Sequence, residues 1–138
     1  MAFVLDASVS IVWALADESH PLAEGILDRW RNPSGRLETA LVPTVWWFEV
    51  RNVLVISERR KRLLEEETAA FLKVLGSFPI HSDDDRDERA MFEYSRRYQL
   101  SFYDAAYLDV AVRKQLPLAT LDKALRNAAE AAGVSLLV

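Results

Sequence analysis

The amino-acid sequence predicts an α/β fold, a single three-layer α/β/α domain over residues 1–138 with a central parallel sheet. Three observations point there. Short apolar runs of strand length alternate with longer segments of helical periodicity, the pattern of parallel strands covered on both faces. Capping and turn residues fall at the junctions between them. The length of 138 residues, with 51% hydrophobic and 28% charged residues, suits one compact core and leaves little room for a second.

In chain order, Ala2 to Leu5 is an apolar run stopped by Asp6 and is expected to be a buried strand. Ser8 to Ala16 and Pro21 to Trp30 are expected to be helices, the second with Leu22, Ile26 and Trp30 on its apolar face. Asn32, Pro33, Ser34 and Gly35 spell a turn. Leu41 and Val42 form a second strand before Pro43. Thr44 is placed to cap a helix from Val45 to about Arg60. Another helix is expected from Leu64 to Leu75, with Gly76 just past its end. Phe78 to His81 reads as a third strand. Ser82 with Asp85 has the capping-box spacing and is expected to open a helix to Tyr98, with Met91, Tyr94, Ser95 and Tyr98 inward. Ser101 with Asp104 repeats that spacing before the strongly apolar helix Phe102 to Lys114. Leu118 and Ala119 form a fourth strand, Asp122 to Ala132 a helix closed by Gly133, and Ser135 to Val138 a last strand.

Composition narrows the chemistry. With no cysteine there is no disulfide framework, no thiolate zinc site and no cysteine nucleophile. The two histidines, His20 and His81, cannot build a histidine-rich centre and are expected to be structural or exposed. Any bound metal must then take oxygen ligands, which favours magnesium or manganese over zinc. Seventeen basic against 21 acidic residues give a net charge of −4, so nucleic-acid binding would need clustered cations. No apolar run approaches the roughly 20 residues that cross a bilayer. The first residues read as a strand and not as a signal peptide, which with the absence of cysteine fits a cytoplasmic protein.

Ligands of open α/β sheets bind outside the carboxyl ends of the strands. Asp6 ends the first strand and Asp122 follows the fourth. Both positions also suit helix N-caps. Glu49 lies on a mostly apolar stripe with Val45, Trp46, Asn52 and Val53; a lone carboxylate there is costly to bury, although the same position would suit a half-exposed surface glutamate. Asp104 shares its face with Leu108 and Ala111, and is equally the acid of the Ser101 box. Asp109 points elsewhere, about 140° round the helix, and should pair with Arg113. The triplet Asp83-Asp84-Asp85 is expected to serve a helix start. Trp46 and Trp47 project roughly 100° apart, so one can be buried while the other faces a partner.

Four stretches together resemble the PIN-domain family, and most closely its VapC-type toxin ribonucleases. They are Val4-Leu5-Asp6-Ala7-Ser8, Trp47-Phe48-Glu49-Val50-Arg51-Asn52-Val53-Leu54, Ser101-Phe102-Tyr103-Asp104-Ala105-Ala106-Tyr107-Leu108 and Leu118-Ala119-Thr120-Leu121-Asp122. Each alone is an acid in an ordinary amphipathic setting; their order and spacing over nearly the whole chain carry the likeness. The resemblance implies that Asp6, Glu49, Asp104 and Asp122 form one acidic pocket binding Mg2+ or Mn2+ and carry catalysis. Ser8 and Thr120 match positions with a hydroxyl near the metal, and Asn52 a residue that supports the glutamate.

If the four acids do converge, electrostatics asks for a cation independently. Two carboxylates about 5 Å apart repel by roughly 3 kcal/mol at an effective dielectric near 20. Six such pairs would rival a whole fold stability of about 5–15 kcal/mol. The implied function is hydrolysis of RNA phosphodiester bonds by a toxin that a cognate antitoxin neutralises, with homodimerisation expected as well. Arg59, Arg60, Lys61 and Arg62 are candidate RNA contacts, though cations also suit a helix C-terminus. A receiver domain would want an acid pair directly after the first strand, and a dehalogenase-type phosphatase an aspartate at position 8, where Ser8 stands. The alternative of another class is a PIN-fold binding module for RNA or protein without nuclease activity; it is disfavoured because all four acids are present.

Overall fold

The computed structural model describes residues 2–32 and 38–138. Its strands are β1 (Phe3–Leu5), β2 (Ala40–Pro43), β3 (Ile80–Asp83) and β4 (Leu118–Ala119). They form one parallel sheet in the order β3-β2-β1-β4. The helices are α1 (Ala7–Ser10), α2 (Pro21–Arg31), α3 (Thr44–Arg59), α4 (Glu65–Leu75), α5 (Glu88–Tyr98), α6 (Phe102–Lys114) and α7 (Lys123–Ala131). α6 lies across β1, β2 and β4, with α5 and α7 packed on it. α1 packs with α2 and α3 in the other helical layer. The three-layer α/β/α architecture is therefore the one expected. β1 is wholly buried, which is why it reads as an unbroken apolar run. No helix among the described residues is long and apolar enough to cross a membrane.

Several boundaries differ from expectation, each for a tertiary reason. The first helix is short: α1 gives way to a 3-10 turn, Ile11–Trp13, where Trp13 packs on Trp30 and Phe78 and donates its indole N–H to Ala23 O (2.9 Å). Thr44 does not cap α3. Pro43, extended at the strand end, occupies the cap position, and the Thr44 hydroxyl donates to Asp84 instead (3.1 Å). Ser82 and Asp85 do not form a capping box. Parallel pairing with Ala40 to Pro43 carries β3 through Asp83, so Ser82 is extended and α5 starts only at Glu88, capped by Asp87. The last strand reduces to one bridge, Leu136 with Leu118. Of the turn at Asn32 to Gly35, Pro33, Ser34 and Gly35 lie outside the described residues. The Ser101 cap forms as expected, its hydroxyl accepting from Asp104 N (3.0 Å). Gly133 ends α7 with φ +78°, in the left-handed region that favours glycine.

Candidate active site

β1 and β4 are neighbours, so their carboxyl ends bring Asp6 and the Thr120–Asp122 segment together. Asp6 is buried, with 4% of its surface exposed. Its Oδ2 accepts from Ser8 Oγ and from Thr120 Oγ1, both at 2.6 Å. Those hydroxyls are themselves oriented by the β4 end: Leu121 N donates to Ser8 Oγ (2.9 Å) and Asp122 N to Thr120 Oγ1 (3.1 Å). Asp6 thus stands at the cap position of α1 without capping it through its side chain. Asp122 does cap α7, Oδ2 accepting from Leu125 N at 2.9 Å.

The two helical acids close on the same edge. Glu49 is one and a half turns into α3, half-buried, and accepts from the Tyr107 hydroxyl at 2.6 Å. Asn52, expected to support Glu49, is exposed; with Val45, Phe48, Glu49 and Tyr103 it lines a groove of about 490 Å³. Asp104 stands in the first turn of α6, also half-buried.

Mutual repulsion ties the four together. Burial raises the Asp6 carboxyl above its ordinary value, and the Asp122 charge adds to this against the lowering effect of Ser8 and Thr120. Glu49 is raised by burial and by the charges of Asp6 and Asp104, while Tyr107 lowers it. Asp104 is pushed up to about 6 by burial, then by Asp122 and Asp6. Among the described residues no lysine or arginine forms an ion pair with any of the four. Arg126, one turn along α7 from Asp122, donates to the Thr120 carbonyl (3.1 Å). The donor set is all oxygen, negative and lacking an internal counter-ion, which fits a hard divalent cation. As placed, no three acidic or histidine side chains among the described residues gather tightly enough to enclose an ion.

The remaining candidates separate cleanly. Asp109 is buried and paired with Arg113 (2.9 Å), as its helical phase required. Asp83 pairs with Arg113 and Lys114 instead of serving a helix start. His20 caps α2 through Nδ1, and His81 is exposed. Trp46 is buried with its indole on Ser10 Oγ (2.9 Å), whereas Trp47 is half exposed under Arg51. Arg59, Arg60 and Lys61 are exposed at the end of α3, but Arg62 is held by Asp17 and Glu18, each at 3.2 Å. Tyr107 is the site residue that the sequence did not reveal; its signal was a polar tip among the buried apolar residues of α6, one turn from Asp104.

Comparison with known proteins agrees with this geometry. PAE2754 from Pyrobaculum aerophilum has a similar structure over 93% of this chain and 87% of its own, with 26% identity and a TM-score of 0.65. VapC20 from Mycobacterium tuberculosis, a sarcin-ricin loop cleaving toxin, is similar over 98% of each chain at 17% identity and a TM-score of 0.66. A toxin–antitoxin complex from Klebsiella pneumoniae is similar over 87% of this chain and 86% of its own, at 19% identity and a TM-score of 0.54. At those identities the last two likenesses are of fold. No curated protein sequence matches significantly. Residues 3–131 match the family model described as PIN domain. With acids of β1, α3, α6 and the β4 end acting on one another at the carboxyl edge of a parallel sheet, the chain belongs to the PIN domain family.

Proposed function

We propose that this chain is a magnesium- or manganese-dependent endoribonuclease toxin of the VapC type, neutralised by a cognate antitoxin. The observation that carries the reading is the charge coupling of Asp6, Glu49, Asp104 and Asp122 with no basic partner among the described residues. These four would hold the cation. When bound, the ion would acidify a water and offset charge on the phosphoryl oxygens. One of these carboxylates would orient the attacking water or take its proton. Water oxygen would bond to phosphorus as the bond to the 3′ oxygen breaks, and that oxygen would take a proton from solvent, leaving a 5′ phosphate and a 3′ hydroxyl.

Thr120 fixes Asp6 from the β4 side and Ser8 from α1, with the Ser8 hydroxyl itself held by Leu121 N, so the site depends on β1–β4 pairing. Trp47, Phe48 and Tyr103 are largely exposed beside Glu49, an apolar rim suited to an antitoxin segment whose basic residue reaches the acids. Homodimerisation, a single domain over residues 1–138 and a cytoplasmic location belong to the same proposal and rest on the family likeness. RNA would be held by Arg59, Arg60 and Lys61, with Arg62 occupied in its own ion pairs. Cleavage-site mapping on total RNA with Mn2+ tests the reading. Discrete cuts by the wild type that vanish in Asp6→Asn are expected; equal cutting by both removes it.

A further inference from the structure

A half-buried carboxylate serves a cation well only if something fixes which way it faces. Ser8 and Thr120 do this for Asp6, both loading Oδ2. For Glu49 the corresponding hydroxyl comes from a different helix. Tyr107 is fully buried on α6, and its hydroxyl donates to Glu49 Oε1 across to α3 at 2.6 Å. That distance is at the short end for O–H···O, as expected when the acceptor is a carboxylate. The backbone amide of Ala7, next to Asp6, lies beside the same hydroxyl. The phenol therefore sits where the β1 end, α3 and α6 meet, and the three hydroxyls each bind one oxygen of an acid.

We propose that Tyr107 is a positioning residue for cation binding: its hydroxyl pins Glu49 Oε1 and so holds the carboxylate turned to the acidic pocket. This rests on the metal-dependent reading above. Tyr107 touches neither cation nor RNA; it acts through Glu49, in the way outer hydrogen bonds orient metal ligands. Loss of such partners typically weakens metal affinity about 10–100-fold. The ring fills the core whether or not the hydroxyl is present, so Tyr107→Phe keeps the packing and removes only the bond.

The test is Mn2+ titration calorimetry on wild type, Tyr107→Phe, Glu49→Ala and the double variant. Tyr107→Phe is expected to raise the Mn2+ Kd by about tenfold. The same change on Glu49→Ala should have no further effect, because the phenol acts through that carboxylate. Nuclease kinetics should show the loss at low Mn2+, its recovery at high Mn2+, and an unchanged KM for RNA. An unchanged Mn2+ Kd in a folded Tyr107→Phe protein, or additive losses in the double variant, would overturn the proposal. Should Tyr107→Phe fail to fold, the wild type still decides: Mg2+ must shift the Tyr107 ring carbon resonances, and no longer do so in Glu49→Ala. A silent resonance overturns it too. A wild type that binds no Mn2+ overturns the metal reading itself, a distinguishable result.

Discussion

Two groups of buried or half-buried acids each include one residue of α6, Asp104 in one and Asp109 in the other, and they are solved in opposite ways. Asp109 and Asp83 are given cations by the chain itself. Arg113 Nε meets Asp109 at 2.9 Å, its Nη2 approaches Asp83 at 3.5 Å, and Lys114 stands 3.9 Å from Asp83. Asp6 and Glu49 receive hydroxyls and Asp122 a backbone amide instead, and neither these three nor Asp104 form an ion pair among the described residues. Hydrogen bonds orient a carboxylate but do not cancel its charge. The charge of the first group is consequently met within the fold, although Asp83 Oδ2 and Asp109 Oδ1 accept no hydrogen bond there, while the second leaves a negative charge that an outside cation can meet. Two acids only five residues apart on α6, Asp104 and Asp109, fall on opposite sides of this division because helical phase turns them to different surroundings.

The contrast is broken most directly at the open cluster. Asp6→Asn and Asp104→Asn should each lower Mn2+-supported RNA cleavage at least about 100-fold. Neither should lower the melting temperature of the metal-free protein, since each removes one charge from a repelling set. Calorimetry and a cleavage assay on the same preparations check both halves. A variant that is inactive but badly destabilised would mean that these acids, too, are structural.

At the closed cluster the effects should invert. Arg113→Met strands the buried Asp109 carboxylate and leaves Asp83 only Lys114, and losing one partner of such a pair costs about 3 kcal/mol. Urea unfolding should show that loss, while Mn2+ affinity of the folded protein stays at the wild-type value. Weakened metal binding in Arg113→Met would show that the two clusters are coupled and that the division drawn here is wrong.

Protons offer a smaller, graded test. The folded metal-free chain holds the Asp104 proton up to about pH 6, whereas an unfolded aspartate releases it near 4. Between those values the folded state binds more protons than the unfolded state, so this group's contribution to stability falls as pH rises from about 4 to about 6. Asp6 and Glu49 are displaced in the same direction. A cation must displace those protons. Saturating Mn2+ should therefore raise the melting temperature more at pH 7.5 than at pH 5.5, by a difference on the order of 5 °C. Equal increments at both values would separate the metal from these acids.

What could be read from the sequence follows the same division between local and distant causes. Asp6 and Asp122 needed only strand ends, and Asp109 needed only helical phase; all three stand where that reasoning put them. The two capping-box patterns show where it stops. Ser101 caps α6, but Ser82, with the same spacing, is drawn into β3 because Ala40 to Pro43 pair alongside it. Nothing within the six residues around Ser82 encodes that pairing. Tyr107 was hidden for the same reason. Its apolar neighbours mark it as core, and it is core, but the acceptor for its hydroxyl is Glu49, on a helix distant in sequence.

The four cations at the end of α3 carry the finest form of the comparison, because they too divide into satisfied and unsatisfied. Arg62 donates to both Asp17 and Glu18, while Arg59, Arg60 and Lys61 are exposed and form no ion pair among the described residues. They stand about 15 Å along the helix from Glu49, so they can meet only phosphates several nucleotides from the one cleaved. Each contact to single-stranded RNA adds about 0.7 to the slope of log K against log salt. In an Asp6→Asn background, replacing Arg59, Arg60 and Lys61 with glutamine should flatten that slope by about 2 in anisotropy titrations, with Arg62→Gln changing it far less. A slope untouched by the triple replacement would assign these cations to the α3 dipole. The backbone of the RNA would then have to be held nearer the acids, where Lys123 and Arg126 flank Asp122 on α7.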